Sequence, residues 1–361
     1  MKRTGAFILT LAMSIAPVRA LPDSATTTET VKTISSENGA RVSGETDENP
    51  ADHNKISRKK NNRVRVMLHA GTMYDNNVYR YGSEFIDAFG LGQRTYRYPG
   101  VKSIGDVIFP MGCRTTLDIG KVTARANVSG DLYESNSQMN QLDWAFMLEL
   151  NGPVSVAAQF ELTPYHPVRP HSYIPYTYEL MWYMKNKGTL SAQLNLWKIK
   201  PSVEAAFGYY DYTHVFDNYD APFYEGGVGA AIAKPVSIKI RCVAGAVVGK
   251  PHTNQDWSKT FGFADADIHY PYGVWALGIK GLLEDAVYTT RDSLDPHKGR
   301  NDFSGNGNLY AKYRWRSFGV TATAGYYWRA TTSPIPRVDT RKDYGAYNVG
   351  IECSWEFKKK F

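Results

Sequence analysis

From Arg63 to the last residue the chain repeats one pattern: a segment of about ten residues in which every second side chain is apolar, followed by a polar break. Leu142, Trp144, Phe146, Leu148 and Leu150 alternate with Asp143 and Glu149. After Asn151-Gly152-Pro153 the alternation restarts as Val154, Val156, Ala158, Phe160 and Leu162 against Ser155, Gln159 and Glu161. A period of two puts successive side chains on opposite faces of an extended strand, so each segment has one apolar face and one polar face. Further runs begin at Val64, Val107 and Val122 and occupy 176–184, 190–196, 203–209, 224–232, 236–248, 260–268, 275–283, 309–315, 318–328 and 347–357. Roughly ten residues is also the length that carries a tilted strand across a bilayer.

The polar faces are rich in ionisable groups of both signs. Arg65, Arg114, Arg125, Asp131, Asp143, Glu149, Glu179, Glu204, Lys239, Arg241, Asp265, Asp267, Lys280, Lys312, Arg314 and Glu352 share the side opposite the apolar residues. In a soluble sandwich nearly every strand would not carry such a face; a water-filled lumen holds these groups without burying charge. Mean hydropathy is −0.41, far too polar for a bundle of spanning helices. Aromatic residues gather near the ends of runs (Tyr74, Trp144, Trp182, Trp197, Tyr209, Trp275, Trp315, Trp328, Trp355), where an interfacial girdle would lie. The fold expected is all-β: a transmembrane, antiparallel, up-and-down barrel over 63–361.

Connections alternate in length. Short ones are expected at 118–121, 151–153, 200–202, 233–235, 270–273 and 316–317, and long polar ones at 75–105, 163–174, 211–222, 249–257, 285–302 and 330–343. Short periplasmic turns and long external loops are the bacterial arrangement. The runs number about fifteen, yet a single-chain barrel with both ends on one side needs an even number. The discrepancy lies in 163–202, where short runs flank Lys185-Asn186-Lys187-Gly188; 14 strands is the expectation, with 16 as the alternative. Pro110 inside the second run lacks a ladder donor and predicts a bulge. The longest loop contains SEFIDAFG, a short helix with Ser83 as its expected cap.

Ahead of the barrel the chain differs. Lys2 and Arg3, the apolar 6–16 and Val18-Arg19-Ala20 make a secretory signal, 1–20. Residues 21–62 hold almost no large apolar side chain and read as a disordered polar periplasmic tail. Cys113, Cys242 and Cys353 are far apart, odd in number and on the apolar parity, so they are read as small hydrophobic residues rather than a disulfide or metal set. The net charge is +7, but Lys and Arg are scattered, which argues against a nucleic-acid partner. No cofactor motif is present.

The final strand, with Tyr347, Val349, Ile351, Cys353, Trp355 and Phe357 on one parity and Phe361 at the end, resembles the carboxy-terminal insertion signal of Gram-negative outer-membrane β-barrel proteins, the porin-like class. Lys359 departs from it, since that class usually has an aromatic or apolar residue there. DNNVYRYGSEF at 75–85 also resembles the first-loop region of uncharacterised outer-membrane barrels. The resemblance implies residence in the bacterial outer membrane, contact with its lipid and lipopolysaccharide, and assembly by the barrel-assembly machinery, with Trp355, Phe357 and Phe361 as the insertion signal. The function expected is a passive or weakly selective channel for small hydrophilic solutes. A plugged structural or ligand-binding barrel is the alternative, and a rim hydrolase a more remote one. For that last reading the loops offer Asp211, His214, Asp217 and Asp220, then Asp292, Asp295, His297 and Asp302, and also His166, His171 and Ser172. None forms a recognisable enzyme motif, and the carboxylates lack EF-hand calcium spacing.

Overall fold

The computed structural model describes residues 62–91, 101–174, 177–196, 198–232, 236–249, 257–290, 297–335 and 342–361. Fourteen antiparallel strands form one closed barrel, each bonded to its neighbours in sequence and the last to the first. They are β1 (Arg63–Asp75), β2 (Asp106–Ile119), β3 (Val122–Tyr133), β4 (Gln141–Leu150), β5 (Val154–Ile174), β6 (Thr177–Leu194), β7 (Ile199–Tyr212), β8 (Ala221–Ile232), β9 (Ser237–Val247), β10 (Lys259–Tyr272), β11 (Trp275–Tyr288), β12 (Asn301–Trp315), β13 (Phe318–Thr332) and β14 (Tyr344–Lys360). An α-helix, α1 (Ser83–Gly90), lies in the β1–β2 connection. Among the described residues no helix is long and apolar enough to cross a membrane.

The seam is a full ladder. β14 pairs with β1 from Arg63↔Lys360 to Asp75↔Asn348, so the alternating final strand closes the sheet and leaves no unpaired edge. Both ends of the barrel sequence therefore sit at one rim, together with the tight turns. There Gly120 and Gly273 adopt positive φ (61° and 60°), which a glycine reaches without steric cost.

Exposure alternates along the strands, and the exposed parity is apolar. On β4 it carries Trp144, Phe146, Leu148 and Leu150; on β14 it carries Tyr347, Val349, Ile351, Trp355 and Phe357. Cys242 and Cys353 are exposed on this face, Cys113 is half-buried, and all three are free thiols. Aromatic pairs ring both ends. Near the terminal rim are Trp275–Tyr313 (4.8 Å) and Phe318–Trp355 (5.5 Å). Near the loop rim are Phe303–Trp328 (5.1 Å) and Tyr74–Tyr347 (6.3 Å). Trp197 lies outside the described residues.

Several local expectations are corrected. The surplus run disappears because 177–194 is one strand, and Lys185-Asn186-Lys187-Gly188 sits inside it rather than at a turn. Gly188 faces Phe160 on one side and Phe207 on the other, both outward-facing aromatics that supply the apolar surface a glycine cannot. The expected loop 163–174 is the end of β5, where two of three register shifts fall at Pro164 and Pro167. Lys200-Pro201-Ser202 is not a turn but the start of β7. Pro201 pairs with Ala230 of β8, while pairing with β6 stops at Ser202↔Gln193, so its missing N–H interrupts no ladder there. Pro110 makes no bulge: β2 keeps its register with β1 on both sides, and only the pairs opposite Gly71 and Thr72 are missing. The N-cap of α1 is Gly82, not Ser83, and no side chain caps it.

Candidate functional site

The less exposed parity of the strands is the barrel interior, because side chains there meet others two or more strands away. Arg241 of β9 bonds Asp265 of β10 (2.7 Å) and reaches Glu204 of β7 (3.4 Å), passing the intervening β8. That reach depends on glycine: a Cβ at Gly227 would stand 3.1 Å from Glu204 Cγ. Further round the wall Arg314 of β12 binds Glu356 of β14 at 2.5 Å, past Gly319 of β13. Tyr310 of β12 lies over Gly278 of β11 and donates its hydroxyl to Asp267 of β10 (2.9 Å). Lys187 of β6 pairs with Glu225 of β8, and His69 of β1 stands 3.3 Å from Glu352 of β14.

Of the ionisable residues singled out from the sequence, Arg65, Arg114, Arg125, Asp131, Asp143, Glu149, Glu204, Lys239, Arg241, Asp265, Asp267, Lys280, Lys312, Arg314 and Glu352 stand on this inward parity. The side chain of Glu179 is outside the described residues. The structure gathers these groups not into one cluster but into small cross-strand networks spread along the wall.

The loop rim is narrower in its chemistry. Two buried clusters occupy it. One joins Tyr183, Tyr210, Tyr212, Phe223, Phe261 and Tyr288 of the wall to Phe216, Tyr219 and Trp257 of the loops, and Trp257 Nε1 donates to the Tyr219 carbonyl (2.8 Å). Sequence periodicity missed these inward aromatics because they sit on the parity that elsewhere is polar. The only signal was the density of Tyr near 209–224. The other cluster packs Val78, Tyr79, Tyr81 and Phe89 of the first loop onto Ile108 and Tyr133 of the inner wall. The loop thus folds inward.

A polar knot explains the DNNVYRYG stretch. Asp75, at the end of β1, accepts the Asn77 backbone N–H (2.8 Å) and grips the Arg80 guanidinium through both oxygens (2.6 and 2.5 Å). Asn77 exchanges two bonds with the Tyr81 backbone, and Tyr79 donates to Asn136 (3.1 Å). Arg80 holds a positive φ of 53° and stacks 4.7 Å over Tyr327 of β13. Burial opposes the Arg80 charge, but Asp75 more than offsets this, and its pKa stands above the usual arginine value. Burial also pushes the Tyr79 hydroxyl up, against its bond from Gln138.

Among the described residues, the rim side chains offered for catalysis do not converge. Asp220 accepts the Tyr212 backbone N–H (2.8 Å), closing a turn. Asp302 is held by Arg300 (2.5 Å), and buried His297 stacks on Tyr288 (4.8 Å). Asp211 lies on the outward parity of β7, and His166 is buried against Tyr183. The side chains of His171, Ser172 and His214, and all of Asp292 and Asp295, lie outside the described residues. Among the described residues no three His, Cys, Asp or Glu side chains are grouped to hold a metal.

No protein-family model and no curated protein matches the sequence. Among solved structures the chain is similar to the outer membrane channel DcaP of Acinetobacter baumannii, at 11% identity and a TM-score of 0.45, covering 85% of this chain and 100% of that one. It is also similar to an anion-selective porin from Comamonas acidovorans, at 7% identity and a TM-score of 0.42, covering 81% and 98%. Independently of these distant likenesses, the closed 14-stranded sheet, the apolar exterior and the aromatic rings make the chain a transmembrane β-barrel of the outer-membrane type.

Proposed function

We propose that the barrel is a passive or weakly selective channel for small hydrophilic solutes, with the inward ionisable residues from Arg65 round to Glu352 lining its path. The observation that carries this reading is an inner wall furnished with charges of both signs, from β1 to β14. Such a wall is stable when water reaches it and costly when it does not. The short-turn rim, with the preceding signal and polar tail, faces the periplasm in this reading. Trp355, Phe357 and Phe361 serve the assembly machinery, and the exterior meets lipid and lipopolysaccharide. The chain is not an enzyme in this reading: Asp220 and Asp302 already serve structural bonds.

A second reading, a barrel plugged at its loop rim, is favoured by one feature: the two buried clusters there contain side chains from both the loops and the inner wall. Single-channel recording of the refolded chain in a planar bilayer separates the two. Stable ohmic steps support the channel. A correctly folded, inserted and silent barrel overturns it in favour of the plug.

A further inference from the structure

Near the terminal rim the interior carries two facing arcs of cations. The first follows one row of the sheet: Lys200 of β7, Ala231 of β8, Lys239 of β9, Asp267 of β10 and Lys280 of β11 are successive partners. Ala231 is too small to separate its neighbours. The single carboxylate of the row, Asp267, stands between two lysines and accepts the Tyr310 hydroxyl. The second arc is built on β1–β4. Asp118 lies 3.2 Å from Arg63 and 3.5 Å from Arg65 and so serves two guanidiniums. Arg65 and Arg125 flank Thr116, and Glu149 is the other carboxylate nearby.

Arg125 of β3 and Lys239 of β9 stand six strands apart around a 14-stranded barrel, nearly opposite, each within three residues of the strand end at the terminal rim. Within the two arcs six cationic residues (Arg63, Arg65, Arg125, Lys200, Lys239, Lys280) stand with three carboxylates (Asp118, Glu149, Asp267). Rings of Lys and Arg around a pore favour anions, because passing anions are attracted where cations are repelled.

We infer that this belt of the lumen, where Arg125 and Lys239 stand on opposite walls within the two cationic arcs, favours passage of small anionic solutes of the carboxylate and phosphate class. The inference rests on the channel reading and names its solute class. It adds a mild anion preference to an interior whose mixed charges predicted no sharp filter.

The test is the reversal potential of the refolded chain in a potassium chloride gradient. Chloride is expected to be the more permeant ion. R125Q/K239Q is expected to lower the chloride-to-potassium permeability ratio about fivefold, the effect of water-screened attraction at contact distance. R125K/K239R keeps both charges and should retain the ratio. K121Q, which removes a charge from the exposed β2–β3 turn, should also leave it unchanged. Heat-modifiable gel migration confirms that each variant is folded. A conducting wild type with no anion preference, or a folded R125Q/K239Q that keeps the full ratio, overturns the inference and leaves the channel reading standing. A folded, silent wild type overturns both.

Discussion

At the scale of residues, the interior is organised by glycines as much as by charges. Tyr310 crosses to Asp267 only because position 278 has no side chain; a Cβ there would collide with the tyrosine ring. Gly278→Leu should cost about 1–3 kcal/mol of stability through forced displacement of that ring, read as a lower urea midpoint. Asp75 is a second sensitive position. It and Arg80 are nearly inaccessible, with side-chain exposures of 3% and 7%. Replacing one partner strands the other, so Asp75→Asn should weaken the loop by about 3 kcal/mol. The expected signature is new protease cleavage within 76–91 while the strands stay protected. The motif around Asp75 was visible in the sequence as a run of turn-forming and aromatic residues. That Asp75 holds Arg80, and that Arg80 then stacks on Tyr327, was not visible, because those contacts join residues with no periodic relation.

At the scale of elements, alternation was legible wherever lipid and lumen each claimed one face for a whole strand. β4, β8 and β14 follow the written pattern closely for that reason. It failed where local chemistry imitated a turn. Lys185-Asn186-Lys187-Gly188 and Lys200-Pro201-Ser202 carry turn composition, but the neighbouring strands hold them extended and their aromatics cover the glycine. Gly188→Pro tests the revised reading. At a true turn it would be tolerated, whereas in mid-strand it removes a ladder donor and should abolish the heat-modifiable folded form. The first loop is likewise an element with a measurable consequence. Its buried side chains lie on the inner wall at Ile108 and Tyr133, so deletion of 82–100 should raise single-channel conductance; an unchanged conductance would show that this loop does not narrow the path.

At the scale of the whole molecule, two chemistries divide the lumen along its axis. The loop rim carries aromatic clusters and a polar knot, whereas the terminal rim carries the cationic arcs. Closure through β1 and β14 ties both ends of the barrel sequence into one seam. Phe361→Ala, beside a seam already formed by 13 ladder pairs, should therefore reduce assembly in the cell more than it lowers the stability of barrel refolded in detergent. Comparing outer-membrane yield with the thermal unfolding midpoint reads that difference.

The sequence by itself determined the class of this protein. A period of two, sustained from Arg63 to Phe357, leaves a chain with one apolar and one charged surface per strand, and a closed membrane barrel satisfies both surfaces and every backbone group at once. It also carried the inward positions of most charged residues, because parity alone decides them. Tertiary structure alone decided what those positions do together. Strand number depended on whether 177–194 was held straight by its neighbours. The inward fold of the first loop depended on contacts made 30 or more residues away, such as Tyr79 with Asn136. The placement of Arg125 and Lys239 on opposite walls depended on ring closure, since only a closed sheet turns strands six apart to face each other across one lumen.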